Sequence, residues 1–406
     1  MNQRTEPTGR EPRAMRVVDI INLSSSADTL LRERVLMMRA SGIDNHIVCI
    51  DGPRVAPLRA LGIPVHTAPI PRGVEPWMLV TAVLEIARIL RRTRADIVHT
   101  HCAVPGFVGR LAAGLAGVPV IIHTAHGFPF HEGMSWHARF PYLTGERLCG
   151  FITDTLLTQN RSDLDQSERY GIGPKGRRHY IGNGIDVTQF RPRPHLHRGR
   201  AIVMTCVARL EPVKNHPMLF AAAAMLNRRG TPFRLRLVGD GPLRARYEEQ
   251  CRRLGIQDQV EFLGYRTDMP ELLADTDIAV LTSIKEGLPR AAIEAMAMGL
   301  PVVATRAPGT REVVRHGETG LTVEIGDETG LANALALLID DPALRARLGE
   351  QGRKVALEEF DERPVTDALR ELYRSRLLAR SVTTWARTLP EENRDGILPV
   401  RVRAKR

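Results

Sequence analysis

Residues 278–305 read IAVLTSIKEGLPRAAIEAMAMGLPVVAT. The run Ile278–Thr282 predicts a strand that ends near Ser283, and Val302–Thr305 predicts another. Between them, Glu286-Gly287-Leu288-Pro289 predicts a tight loop. Pro289 suits the first position of a helix, and that helix carries Glu294 one to two turns in. Short, continuously apolar strands joined through a helix belong to a parallel sheet covered on both faces.

The same alternation extends in both directions. Upstream in the second half, Ile202–Val207, Arg234–Val238 and Val260–Leu263 predict strands with helical patterns between them. From Gly330 to Leu378 the chain predicts nearly continuous helix. In the first half, strands are predicted at Arg16–Leu23, His46–Ile50, Ile97–His101, Val118–Thr124, Ile152–Leu157 and His179–Ile181. Helices are predicted at Thr29–Arg39, Trp77–Arg92 and Val108–Ala116. The stretch RPRPHLHRGR at 191–200 has no apolar periodicity and predicts a linker. The fold class is therefore α/β, with two doubly wound Rossmann-like domains over 15–190 and 201–365. Residues 1–14 predict a disordered leader and 386–406, ending RVRAKR, a basic tail.

Composition agrees with this division. A chain of 406 residues exceeds what one hydrophobic core sustains. Hydrophobic residues make up 43% and charged residues 25%, which excludes a disordered or collagen-like chain. Five dispersed cysteines without a CxxC pair argue against a disulfide framework or a zinc site and for a reducing compartment. No apolar leader or membrane-spanning run is visible in the sequence. The formal charge of +11 favours anionic partners. Between residues 15 and 199 there are 22 basic and 15 acidic residues, so most of the excess lies before residue 200.

In doubly wound sheets ligands sit at the carboxyl ends of strands, so the loops after the strands hold the candidate chemistry. Glu286 and Glu294 lie eight residues apart at the mouth and inside the start of one helix. A carboxylate there can bind a ribose diol, and free N–H groups at the helix start suit phosphate. An acidic first turn that favours the helix dipole is the competing reading. In CVARLEPVKN (206–215), Arg209 and Lys214 can together neutralise a diphosphate. Val238-Gly239-Asp240-Gly241-Pro242 is a glycine turn that matches neither the dinucleotide fingerprint nor a P-loop. His99, His101, His123, His126 and His131 gather in the first half without carboxylate or cysteine co-ligands at metal-site spacing. They suit hydrogen bonds to substrate hydroxyls better than metal ligation. No G-x-S-x-G elbow is present, which argues against an α/β-hydrolase.

From residue 15 to about 380, the chain resembles the family 4 retaining glycosyltransferases of the GT-B fold. The resemblance is carried by EGLPRAAIEAMA with its two glutamates, VARLEPVKN, LVGDGPL, EFLGY, NGIDVTQF and GETGLTV, with DIVHTH and HTAHGFPFHE in the first half. It implies a first domain that binds acceptor, a second that binds nucleotide sugar, and a helix over 366–385 that crosses back to the first. It also implies roles. Arg209 and Lys214 bind the donor diphosphate, and Glu294 holds the ribose. Glu286 faces the transferred sugar, the Gly287–Leu288 backbone contacts sugar and phosphate, and Gly239 and Asp240 belong to the donor site. Gly264–Tyr265 receives the base, and His126 reaches the reacting sugar from the first domain. No cofactor and no metal are expected.

One departure is Leu23-Ser24-Ser25-Ser26-Ala27-Asp28, where many members carry a Gly-Gly loop. Members resembling this chain at HGFPFHE, LTQN and EGLPR build bacterial capsular, exopolysaccharide or lipid-linked glycans. Their likeness implies a UDP-sugar donor, a lipid-linked or polysaccharide acceptor, and a cytoplasmic location peripheral to an anionic membrane. The alternatives are a non-catalytic sugar-nucleotide-binding subunit, which should have lost part of the Arg/Lys/Glu set, and a nucleotide-sugar epimerase. The basic charge comes with no nucleic-acid reader motif, so no nucleic-acid partner is expected.

Overall fold

The computed structural model describes residues 13–71, 73, 75–130, 134–192 and 201–388. The leader up to residue 12, His131, most of the linker (193–200) and the tail from 389 lie outside the described residues.

The first domain holds strands β1 (Arg16–Ile20), β2 (Asp44–Cys49), β3 (Val65–Thr67), β4 (Ile97–His101), β5 (Val120–Ala125), β6 (Thr155–Thr158) and β7 (Arg178–Tyr180). Its helices are α1 (Ser24–Leu30), α2 (Arg32–Ala40), α3 (Val55–Ala60), α4 (Pro76–Thr93), α5 (Ala103–Ala116), α6 (Trp136–Gly150) and α7 (Arg161–Arg169). All seven strands are parallel, in the order β3-β2-β1-β4-β5-β6-β7. The second domain holds β8 (Ile202–Val207), β9 (Phe233–Val238), β10 (Val260–Gly264), β11 (Ile278–Leu281), β12 (Val302–Thr305) and β13 (Gly320–Val323), in the order β10-β9-β8-β11-β12-β13 and again parallel. Its helices are α8 (His216–Arg228), α9 (Arg244–Leu254), α10 (Met269–Ala274), α11 (Arg290–Ala297), α12 (Thr310–Val313), α13 (Glu328–Asp340) and α14 (Pro342–Glu359), followed by α15 (Glu362–Thr388). These are the two doubly wound domains that the alternation predicts.

Alternation within each strand sorts residues between two helical layers. Val18 and Ile20 of β1, with Val98 and Ile121, pack under α4 and α5. Val17, Ile97, Val120 and Ile122 point to the other face, where Val365, Leu369 and Tyr373 of α15 cover them. Ile185, Val187 and Phe190 pack in the core of the second domain, so that domain begins before the expected boundary at 190; the final helix starts beside it, where Glu362 N donates to Ile185 O, and ends against the first. A buried pair, Arg34 Nε to Glu362 at 2.7 Å, ties its first turn to α2.

Several elements depart from the sequence reading. The single helix predicted over Thr29–Arg39 is two, broken at Leu31, and the first begins at Ser24, so Ser24–Ser26 form a helical turn rather than a loop. Pro289 is the N-cap of α11, with extended ψ of 93°, instead of its first residue. The strand predicted from Ile152 starts at Thr155, because Phe151–Ile152 close a turn on the end of α6. The sequence reading does not include β3, β13, α3, α6, α7 or α12. β3 spans only three residues, β13 starts on a glycine, and α6 contains Pro141.

Candidate functional site

Each sheet reverses its winding direction once, at β1/β4 in the first domain and at β8/β11 in the second. Crevices open at the carboxyl ends of strands at such points. The two crevices face each other across a cleft of about 410 Å³. Its walls come from the segments that follow β1 (Ser25, Ser26), β5 (His126), β6 (Gln159), β8 (Arg209, Lys214), β9 (Gly239), β10 (Tyr265) and β11 (Glu286 to Glu294). Of the predicted residues, His126, Arg209, Lys214, Gly239, Tyr265, Glu286, Gly287, Leu288 and Glu294 line this cleft. Asp240 and Gly264 do not. The Asp240 carboxylate caps its own turn by accepting from Gly241 N at 2.8 Å, and Gly264 O accepts from Gly239 N at 2.8 Å.

The loops after β8 and β11 are locked together. Lys214 Nζ donates to both Glu286 oxygens, at 2.7 and 2.9 Å, and Ser283 Oγ donates to Oε1 at 2.6 Å. Thr282 Oγ1 donates to Lys214 O at 3.0 Å, and Ile284 N to Val213 O at 2.8 Å. Arg209 is half-exposed and pairs with Glu211 at 2.5 Å. Glu294 is buried, and one of its oxygens accepts from Arg290 Nε at 2.8 Å. Burial pushes its pKa up, and the Arg290 charge opposes that shift. Two glycines set how closely the walls approach. Gly239 has a φ of +137°, and a side chain there would meet the Ala208 carbonyl. A Cβ on Gly287 would come within 2.5 Å of the His126 carbonyl, so the two domains touch backbone to backbone.

That domain contact uses residues the sequence reading did not single out. Asn160 caps α7 by accepting from Asp163 N, and its Nδ2 donates to Gly287 O at 2.8 Å. Lys285 Nζ donates to the carbonyls of Phe128 and Phe130. Arg161 N donates to Glu312 at 2.9 Å. LTQN and EGLPR were noted as motifs, but only the docked domains show Asn160 meeting Gly287.

A second cavity, about 510 Å³, adjoins the cleft. His126, Lys214, Glu286 and Gly287 line both cavities. A larger cavity, about 1200 Å³, lies elsewhere, at the amino ends of β5–β7, with Arg147, Phe151, Lys175 and Arg177 on its rim. That end of a parallel sheet is opposite the loops that gather at the cleft.

Behind His126 lies a buried polar chain. His126 Nε2 is 3.0 Å from His101 Nδ1, and His101 Nε2 is 2.8 Å from Asp19 Oδ1. Asn45 Nδ2 donates to Asp19 Oδ2 at 2.6 Å. His99 bonds Tyr373 of α15 and Thr124, both at 2.6 Å. Burial holds His99, His101 and His126 well below the usual histidine pKa and raises that of Asp19. Cys102, directly after His101, has φ 63° and ψ 171°, a conformation residues other than glycine avoid. Ligating atoms of Asp19, His99 and His101 lie within 4.8 Å of one another. The carboxylate missing at local spacing is thus supplied by β1. Each of the three already has hydrogen-bond partners that a metal would displace.

Comparison with known proteins places the chain among sugar-transfer enzymes. Residues 187–355 match the family model described as "Glycosyl transferases group 1", and residues 29–184 match "Glycosyl transferase 4-like domain". The EpsD protein of Bacillus subtilis (strain 168) is 33% identical over 304 residues, covering 71% of this chain and 79% of the relative. The UDP-Gal:alpha-D-GlcNAc-diphosphoundecaprenol alpha-1,3-galactosyltransferase of Escherichia coli is 30% identical over 308 residues, covering 72% and 78%. Among solved structures, Anabaena HepE in complex with UDP and glucose superposes with a TM-score of 0.76 at 23% identity, covering 89% of this chain and all of that one. Sucrose-phosphate synthase from Thermosynechococcus elongatus superposes with a TM-score of 0.78 at 21% identity, covering 90% of this chain and all of its own. These superpositions establish the GT-B fold.

Proposed function

Because the chain belongs to the group 1 glycosyltransferases with a 4-like first domain, we propose that it moves a sugar from a UDP-sugar to a lipid-linked or polysaccharide acceptor with retention of configuration. The observation that carries this reading is the shared wall. His126, Lys214, Glu286 and Gly287 lie between two cavities, and a transferase needs two substrates to meet across one set of groups.

The nucleotide sugar occupies the cleft that Arg209, Tyr265 and Glu294 line. Glu294 takes the ribose hydroxyls with the oxygen that Arg290 leaves open. Arg209, Lys214 and the backbone N–H groups at the start of α11 face the diphosphate. In the reaction the bond from the anomeric carbon to the diphosphate oxygen breaks, and a bond to the acceptor oxygen forms on the same face. The acceptor proton passes to the departing diphosphate. Negative charge grows on that diphosphate, and preorganised cations and N–H groups stabilise it without reorganising. Glu286 orients the sugar and is itself held by Lys214 and Ser283. The apposed backbones of Gly287 and His126–Gly127 narrow the space for water. No step requires a metal ion.

The acceptor is proposed to reside at an anionic membrane surface. The E. coli relative is named for a diphosphoundecaprenol acceptor. No helix among the described residues is long and apolar enough to cross a membrane. The outer layer formed by α4, α5 and α6 exposes Trp77, Leu84, Leu115, Trp136, Phe140 and Leu148, with Phe151 just beyond. Arg88, Arg91, Arg92 and Arg147 are exposed on the same helices. Of the two acidic residues there, Glu85 pairs with Arg88 and Glu146 is buried against Arg110. An aromatic face rimmed by arginine suits an interfacial site with anionic lipid.

The deciding experiment screens nucleotide sugars by thermal shift and assays transfer from the best stabiliser to membrane extracts. Product formed only with acceptor supports the transferase. Turnover of donor alone to an epimer supports the epimerase, and stabilisation without either reaction supports a binding subunit.

A further inference from the structure

We infer that Asp19 and His101 are positioning residues that hold His126 as a neutral imidazole, with the proton on Nε2 and an acceptor lone pair on Nδ1. The inference rests on the placement of His126 in the reaction cleft.

The direction of each bond follows from what each group can do. Asn45 Nδ2 lies near two carbonyls besides Asp19, those of Val17 at 3.4 Å and His46 at 3.3 Å. The amide nitrogen therefore faces acceptors, and Asp19 Oδ2 receives its hydrogen at 2.6 Å. An ionised carboxylate can only accept, so Asp19 Oδ1 takes its hydrogen from His101 Nε2 at 2.8 Å. A neutral imidazole with its proton on Nε2 accepts at Nδ1. His101 Nδ1 is 3.0 Å from His126 Nε2, which must then donate. His126 Nδ1 is left as the acceptor on the cleft side. Gln159 also hydrogen-bonds His126, and that bond favours the protonated ring, against the burial that disfavours it.

The surroundings keep this order in place. Asp19 and His101 are 2% and 0% exposed, so water does not offer an alternative partner. Burial acts most strongly on Asp19 and raises its pKa, while the Asn45 hydrogen bond and the Arg34 charge favour the carboxylate. His99 does not compete for the carboxylate: it lies 3.7 Å away and is committed to Tyr373 and Thr124. Burial disfavours a charged His101 or His126. The chemical consequence is that the first domain presents a hydrogen-bond acceptor to the substrate hydroxyls, whereas Arg209, Lys214 and the α11 N–H groups present donors to the phosphates.

The test reads the tautomer directly. Long-range 1H–15N correlation on protein labelled at histidine, with the His126 signals identified by their loss in His126→Gln, should show a neutral ring protonated at Nε2 at both ends of about pH 6–8. A ring protonated at Nδ1, or an imidazolium in that range, overturns the inference even if His126 proves essential. Loss of transfer in His126→Gln tests the underlying site assignment separately. Asp19→Asn keeps the shape but lets the chain reverse. It should lower kcat about tenfold to a hundredfold with the donor KM within about twofold. Unchanged kcat in a folded Asp19→Asn protein, or a rise in KM alone, would show that the network only packs the core. Should Asp19→Asn fail to fold, the wild-type spectrum decides.

Discussion

Lys214 and Glu286, 72 residues apart in sequence, form a two-pronged ion pair at 2.7 and 2.9 Å that joins the loops after β8 and β11. Both strands flank the switch point of the second sheet, so the pair spans the crevice proposed for the nucleotide sugar. Lys214→Ala should lower transfer by about a hundredfold or more, the scale of losing one preorganised donor to a developing charge. Glu286→Ala should do the same through loss of sugar orientation. Both proteins should unfold cooperatively near the wild-type temperature, because neither side chain belongs to a core cluster. Near-wild-type turnover in both would remove the site assignment.

Excess EDTA should leave transfer largely intact. Arg209, Lys214 and the start of α11 are proposed to face the diphosphate, and the acidic residues among the described cleft lining, Glu286 and Glu294, are paired with Lys214 and Arg290. Complete loss of activity, restored by Mg²⁺ or Mn²⁺, would overturn this.

Stability should fall on mild acidification. His99, His101 and His123 are buried, and burial holds each well below the usual pKa. In the unfolded chain they take up protons below about pH 6.5, and in the folded protein they do not. The stability they confer is complete above that pH and declines as pH drops towards their folded values. Each contributes a slope of up to about 1.4 kcal/mol per pH unit. The raised pKa of Asp19 works in the opposite direction at lower pH. Urea unfolding at about pH 7 and about pH 5.5 checks the sign: a midpoint that is unchanged or higher in acid contradicts the burial of these rings.

The protein should sediment with liposomes that contain anionic lipid, and binding should weaken as salt rises. Each basic residue near such a surface contributes about 1 kcal/mol within a Debye length. Trp136→Ala with Phe140→Ala should weaken binding while leaving donor-induced thermal stabilisation unchanged. Equal partitioning onto neutral liposomes, or none onto anionic ones at low salt, would exclude electrostatic docking and leave recognition of the acceptor alone.

The arginines that made the first domain basic prove to lie in two settings. Arg91 and Arg94 border one cavity, and Arg177 and Arg178 border the adjoining one; both contain Gly117 and Val118. They gather at the amino ends of the strands, away from the cleft. Arg178, however, is bound to the carbonyls of Ile172 and Gly173, and Arg91 to that of Leu115, so both serve the fold. Composition reports the sum of charge, and only folding sorts exposed arginines from those spent on backbone.

By itself the sequence determined the two sheets and which polar residues gather at their carboxyl ends. Ile278–Leu281 and Val302–Thr305 are apolar on both faces because helices cover both, and that pattern is local. Arg209, Lys214 and Glu286, in loops after buried strands, and Glu294, inside the following helix, were legible as polar residues at the carboxyl end of a parallel sheet. What lies between elements distant in the chain was not legible. Arg290 takes one oxygen of Glu294, Asn160 reaches Gly287 across the domains, and Ser24–Ser26 coil into a helix instead of a loop. The histidines show the divide most clearly. DIVHTH announced two alternating side chains at a strand end, but Asp19 and His126 come from β1 and the segment after β5. Only parallel pairing of β1 and β5 with β4 places a carboxylate on one side of His101 and a second imidazole on the other. Hydrogen-bond direction depends on such neighbours, and strand order supplies them.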